Sequence, residues 1–115
     1  TESTREVTRG ILELPDRSDS IFLTSEVKIF GTILAIMDRK LQIPGDIGII
    51  SFVDPTWTVI CDPPLMAIWQ HSSTMGMIAE QKLFTQIDNI RQIRDANLIL
   101  RTEVVIRESY GETPE

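Results

Sequence analysis

Two unbroken apolar runs of strand length, Ser20 to Thr24 and Ile47 to Val53, bracket one stretch of helical periodicity, and that order most constrains the fold. The first run leads into Ser25, a side chain suited to cap a helix, and into Glu26, whose charge suits a first turn. Between Val27 and Leu41 the apolar positions Phe30, Ile33, Leu34, Met37 and Leu41 recur at helical spacing, and Pro44-Gly45 stops the helix. Strand, helix and strand fit within about 35 residues, the size of a right-handed βαβ unit with parallel strands. The expected class is α/β.

The flanks extend this unit. Residues 2 to 14 carry Val7, Ile11 and Leu14 on one stripe, a short amphipathic helix closed by Pro15 and Asp16. Asp54-Pro55 leaves the second strand, and Asp62-Pro63-Pro64 is a second stiff break, because each proline fixes φ and removes a ladder donor. Leu65 to Gln70 is a third candidate strand. Ser72 or Ser73 can cap a helix to about Asn89 with the stripe Met75, Ala79, Leu83 and Ile87. Leu98 to Ile106 reads as a last strand interrupted at Arg101 to Glu103, and residues 111–115 as a tail.

Composition excludes several functions. With 115 residues, 42% hydrophobic and 24% charged, the chain has enough apolar surface for one core. Seventeen acidic against 11 basic side chains give a net charge of −6, the wrong sign for a DNA-gripping or anionic-membrane-binding face. One cysteine, Cys61, and one histidine, His71, cannot assemble a structural zinc site or an intramolecular disulfide, so neither metal nor cofactor is expected. No apolar stretch is long enough for a membrane helix.

Catalytic patterns are weak. Ser72 or Ser73, His71 and Asp62 could be drawn as a triad, but neighbours in one segment cannot easily reach one another, and no nucleophile-elbow pattern is present. Gly45 and Gly48 follow a helix, unlike phosphate-loop or dinucleotide-binding glycines. Trp57 and Trp69 lie beside strand ends, where open α/β sheets bind ligands; each fits either a platform for a ring-shaped ligand or core packing. Cys61 reads as a small buried hydrophobe. Glu26 and Asp54 follow successive strands and could meet at one sheet edge, as ligand contacts or as helix caps.

The string Ile43-Pro44-Gly45-Asp46-Ile47-Gly48-Ile49-Ile50-Ser51-Phe52 resembles a segment of the LacI/GalR family of bacterial transcription regulators. So do Ser20 to Glu26 at the strand-to-helix junction, Gly31 one turn into the helix, Asp62-Pro63-Pro64-Leu65 with Ile68 and Gln70, Met75-Gly76, and Val104 to Ser109. Order and spacing agree over about residues 2 to 109. The resemblance implies a periplasmic-binding-protein-like (type I) fold, a three-layer parallel sheet flanked by helices, of which this chain is a C-terminal fragment. Residues 1–70 would belong to the C-terminal subdomain of the effector-binding domain. Helix 71–92 would pack on an N-terminal subdomain outside this chain, 93–110 would return as a strand, and 111–115 would be the tail.

By the same resemblance the function is effector sensing and dimerisation in a cytoplasmic repressor, not catalysis, with DNA read only by an N-terminal helix-turn-helix outside this segment. The alternative is a periplasmic sugar-binding protein of a transporter. The expected effector is a sugar or related small molecule, with Ser25, Asp54, Trp57 and Gln70 as ligand-binding candidates. A homodimer would pair through Phe30, Ile33, Val59, Ile60 and Cys61. The sequence also departs from the family pattern: Val53 stands where an aspartate often holds ligand hydroxyls, Ser25 replaces an asparagine and Ser51 a glycine. A valine cannot accept a hydrogen bond, so a ligand hydroxyl would go unpaired at that point.

Overall fold

The computed structural model describes residues 2–88 and 97–111. The last predicted residue of the long helix, Asn89, the junction between segments 71–92 and 93–110, and residues 112–115 of the tail lie outside them.

The chain runs α1 (Glu2–Leu12), β1 (Ser20–Leu23), α2 (Glu26–Asp38), β2 (Gly48–Ser51), α3 (Pro55–Thr58), β3 (Met66–Trp69), α4 (Ser72–Asp88) and β4 (Glu103–Val105), then a 3₁₀ turn over Glu108–Tyr110. The strands form one sheet in the order β1-β2-β3-β4. The expected βαβ unit is β1-α2-β2, with Ile21 opposite Ile49 and Leu23 opposite Ser51 in parallel register. β3 continues the parallel order, pairing Ser51 with Ala67. The expectation of an all-parallel sheet is corrected at β4, which runs antiparallel to β3 and makes the sheet mixed. The chain leaves the sheet past Trp69 and returns at the same edge, where Glu103 pairs with Trp69, so its last strand runs back along β3 in the opposite direction.

Side-chain alternation assigns the faces. Leu23 and Ile49 pack against Ile29, Ala35 and Ile36 of α2 in the core, with Leu12 of α1 and Leu65 completing it. The other face carries Phe22 and Val104, exposed, and Ile50, Met66 and Ile68, half-buried, where a third layer would sit. α1 lies along α2. The Thr8 and Thr32 hydroxyls are buried 3.3 Å apart, and Arg5 and Arg9 both grip Asp38, Arg5 through two nitrogens at 2.9 and 2.8 Å and Arg9 at 2.6 Å.

The helical stripes inferred from sequence need correction. On α1, Thr8 and Leu12 are buried while Val7 and Ile11 are exposed. On α2 the buried stripe is Ile29, Thr32, Ala35 and Ile36, and Phe30, Leu34 and Met37 face outward. α2 is apolar on both sides, so periodicity alone could not choose which side meets the sheet. The predicted strand 98–106 shortens to Glu103–Val105, because residues 97–100 run beside α4 instead, with Leu98 and Leu100 facing Met75 and Ile78. No described residue of α4 is buried.

Two small elements lock the sheet. Asp54 caps α3 and Pro55 occupies its first turn, where a missing N–H costs nothing. Arg107 then donates to the Thr58 hydroxyl at 2.8 Å and to the carbonyls of Pro55 at 3.0 Å and Leu65 at 3.3 Å. The Ser109 hydroxyl, fully buried, accepts from the Met66 amide at 2.8 Å and donates to the Ile49 carbonyl at 2.7 Å, tying β2 to β3 from beneath.

Candidate functional site

Because β1, β2 and β3 are parallel, the residues that follow them emerge at one edge of the sheet, the usual ligand position in open α/β folds. A cavity of about 420 Å³ opens there. It is lined by Ser25 and Glu26 after β1, by Phe52, Val53 and Asp54 after β2, and by Trp69, Gln70 and Ser72 around the end of β3. Two larger clefts exist elsewhere. One, of about 600 Å³, lies between Val59, Pro64 and Ile106; the other, of about 620 Å³, runs between Ile33, Met37, Leu41, Cys61 and Pro63. Their walls are mostly apolar, whereas the strand-end cavity brings several polar groups together, the better mark of a small-molecule site.

Each polar group is positioned by its backbone. Ser25 holds an extended conformation at the start of α2, yet its hydroxyl makes no capping bond and remains uncommitted. Glu26 sits in the first turn of α2, and its Oε1 accepts from the Trp57 indole nitrogen at 3.1 Å. Asp54 accepts from the Thr56 amide at 2.7 Å and from the Thr56 hydroxyl, and these bonds hold its carboxyl below the usual carboxylate range. It is therefore ionised and occupied as a helix cap. Val53 is only 7% exposed and belongs to the core as much as to the cavity wall.

Of the four ligand candidates read from sequence, Ser25, Asp54 and Gln70 share the cavity wall. Trp57 stands one residue behind it: its ring stacks parallel on Phe30, with centroids 6.1 Å apart, and it reaches the cavity only by holding Glu26. Trp69, weighed beside Trp57 as a platform, is the tryptophan that lines the cavity. His71 stacks against it at 3.9 Å, in a left-handed backbone conformation with φ of 51°, and its Nε2 lies 3.2 Å from a Glu103 carboxylate oxygen. Phe52 was readable only as part of the strand string.

The residues expected at a dimer contact divide in two. Phe30, Val59 and Ile60 are exposed, Ile60 at 83%. Ile33 and Cys61 are half-buried against the core and open onto the 620 Å³ cleft. Burial pushes the Cys61 thiol up, with the positive charge of Arg107 opposing the shift, so the thiol is not activated. Among the described residues no group of His, Cys, Asp and Glu could hold a metal ion, and no helix is long and apolar enough to cross a membrane.

Residues 2–110 match the family described as the periplasmic binding protein-like domain. The chain belongs to that family. Among proteins carrying the periplasmic binding protein-like domain, this chain is similar to the HTH-type transcriptional repressor CytR of Escherichia coli (strain K12), 29% identical over 104 residues that make up 90% of this chain and 30% of the repressor. It is also similar to the HTH-type transcriptional repressor PurR of Pasteurella multocida (strain Pm70), 33% identical over 90 residues, 78% of this chain and 27% of that protein. The chain thus spans about three-tenths of the length of these curated relatives. The crystal structure of a LacI family transcriptional regulator from Bifidobacterium animalis shares the fold at a TM-score of 0.83 with 22% identity, covering 98% of this chain and 41% of that one.

Proposed function

We propose that this chain is the effector-sensing and dimerising segment of a LacI-type transcriptional repressor. The observation that carries the reading is the cavity at the parallel strand ends, where Ser25, Glu26, Trp69 and Gln70 converge while Ser25 keeps its hydroxyl free. The relatives, both named as HTH-type transcriptional repressors, support the regulator over a transporter's sugar-binding protein. Residues 1–70 belong to the C-terminal subdomain, 71–92 form the helix that docks on the N-terminal subdomain, and 93–110 return as a strand. The bare apolar faces of α4 and of the sheet support this division.

In this reading a small effector, a sugar or related compound, is held between the two subdomains by Ser25, Asp54 and Gln70, with Trp57 fixing Glu26. It stabilises one closure state, because a ligand shifts a conformational equilibrium only by binding its two states differently. The change reaches a helix-turn-helix in the remainder of the protein through a homodimer built on Phe30, Ile33, Val59, Ile60 and Cys61. The whole acts in the cytoplasm and performs no catalysis. The test is a thermal-shift screen of sugars and nucleosides on the full-length protein, followed by operator-DNA binding with and without each hit. A hit that alters DNA affinity supports the reading; a full-length protein that binds no DNA and is exported under a secretory leader sinks it.

A further inference from the structure

The chain crosses between the sheet and α4 twice, and both crossings stand at the same end of β3. It leaves through Gln70 and His71 into α4, and it returns through residues 97–102 into β4, where Glu103 pairs with Trp69. Beyond the crossings Leu98 and Leu100 lie beside Met75 and Ile78 of α4.

His71 ties one crossing to the other. Its Nε2 lies 3.2 Å from a Glu103 carboxylate oxygen, and its ring stacks on Trp69 with centroids 3.9 Å apart and planes tilted by 33°. Its backbone is left-handed, with φ of 51°, a conformation that a residue with a Cβ holds only where its surroundings fix it. Its carbonyl accepts from the Met75 amide at 3.0 Å, so the same residue begins α4. Its neighbours Trp69, Gln70 and Ser72 line the strand-end cavity. His71 thus joins the cavity wall, the start of α4 and the returning strand.

Both side-chain contacts change character with one proton. Histidine is the residue whose charge ordinarily changes between about pH 5 and 8. With its second proton, the imidazole makes an ion pair with Glu103 and sets a cation on the Trp69 ring; without it, a neutral hydrogen bond and a ring-on-ring stack remain. The surrounding groups are Trp69 from β3, Glu103 from β4, and Ser72, Ser73 and Thr74 from the first turn of α4, of which Glu103 carries the charge. Because a proton favours the state that holds it better, falling pH favours the joined crossings.

Resting on the two-subdomain reading above, we infer that His71 is a proton-operated clasp: its charged form holds Glu103 and Trp69 and stiffens the connection on which subdomain closure turns, and its neutral form loosens it. The clasp makes closure around the cavity sensitive to pH through a residue outside the cavity wall.

The test is hydrogen exchange of the full-length protein at about pH 5.5 and about pH 8, two conditions that bracket histidine titration, with rates corrected for the intrinsic effect of pH. The amides of residues 69–72 and 103–105 should be about threefold to fivefold better protected at the lower pH, and those of β1 and β2 unchanged. His71→Asn suits the left-handed backbone and carries no proton-dependent charge, and Glu103→Gln keeps an acceptor without the charge; each should abolish the difference. Melting temperatures at the higher pH establish that both variants are folded. Equal protection at both pH values in the wild type, or a difference that persists in either variant, overturns the clasp. That failure leaves the effector reading standing, since the ligand screen tests it without reference to pH. A full-length protein that binds neither ligand nor DNA counts against the reading itself and removes the clasp's role in closure.

Discussion

The indole nitrogen of Trp57 donates to Glu26 across 3.1 Å, so a residue with no place on the cavity wall sets the position of one that has. The same indole stacks on Phe30, within the surface proposed for dimer contact. Trp57→Phe keeps a ring for that stack and removes the donor. The expected outcome is a stability loss of about 1 kcal/mol, together with weaker effector binding by the full-length protein. Trp57→Ala also removes packing against the core and should cost roughly 2–3 kcal/mol. Urea unfolding of both variants checks the difference; equal losses would mean that the ring contributes nothing beyond its hydrogen bond.

Asp38 is the electrostatic clasp between the first two helices. Bonds from Arg5 and Arg9 lower its carboxyl to about 2 from an ordinary value of 3.8. The folded value is depressed, so the stabilisation is fully present above the unfolded value and is lost as pH falls toward 2. The Asp38→Asn variant should therefore unfold more readily than wild type at neutral pH and converge on it in strong acid. Urea midpoints followed from pH 7 to pH 2 measure this, and parallel curves would rule it out.

Removing the Ser109 hydroxyl strands two buried groups at once. In Ser109→Ala the Met66 amide and the Ile49 carbonyl lose their partner at a fully buried position, and the expected destabilisation is about 2–4 kcal/mol. The surface variant Glu108→Ala, one residue away, should fall within about 0.5 kcal/mol of wild type. Denaturant titration of the pair separates the buried bonds from general disturbance of the turn.

The dimer surface is tested where the fold is least at risk. Ile60 is almost fully exposed, so Ile60→Asp should leave the melting temperature of the monomer unchanged while placing a charge where an apolar contact is proposed. Sedimentation equilibrium of the full-length protein should show the variant shifted to monomer. A variant that dimerises like wild type would place the contact elsewhere.

Sequence reading reached the parallel unit and three of the cavity residues because both depend on local signals. An unbroken apolar run followed by Ser25, or by Asp54-Pro55, marks a strand end, and parallel strands place their ends together. It could not choose the buried side of α2, since Ile29, Ile33 and Ile36 on one side and Phe30, Leu34 and Met37 on the other are equally apolar. The buried side is the one that packs with Leu23 and Ile49 of the sheet and with Thr8 and Leu12 of α1, contacts that only the tertiary structure brings together. Nor could it separate Trp57 from Trp69, because only tertiary structure shows that one ring lies on α2 and the other beside the opening. The antiparallel β4 was hidden for the same reason: three residues of strand propensity carry no direction.

Ser109 also bears on how the chain is made. Its partners Met66 and Ile49 precede it by 43 and 60 residues. At ribosomal rates of roughly 5–20 residues per second, β2 and β3 wait several seconds for the hydroxyl that joins them. During that interval the nascent sheet presents open backbone groups and a bare apolar face, a substrate for holding chaperones until residue 109 emerges.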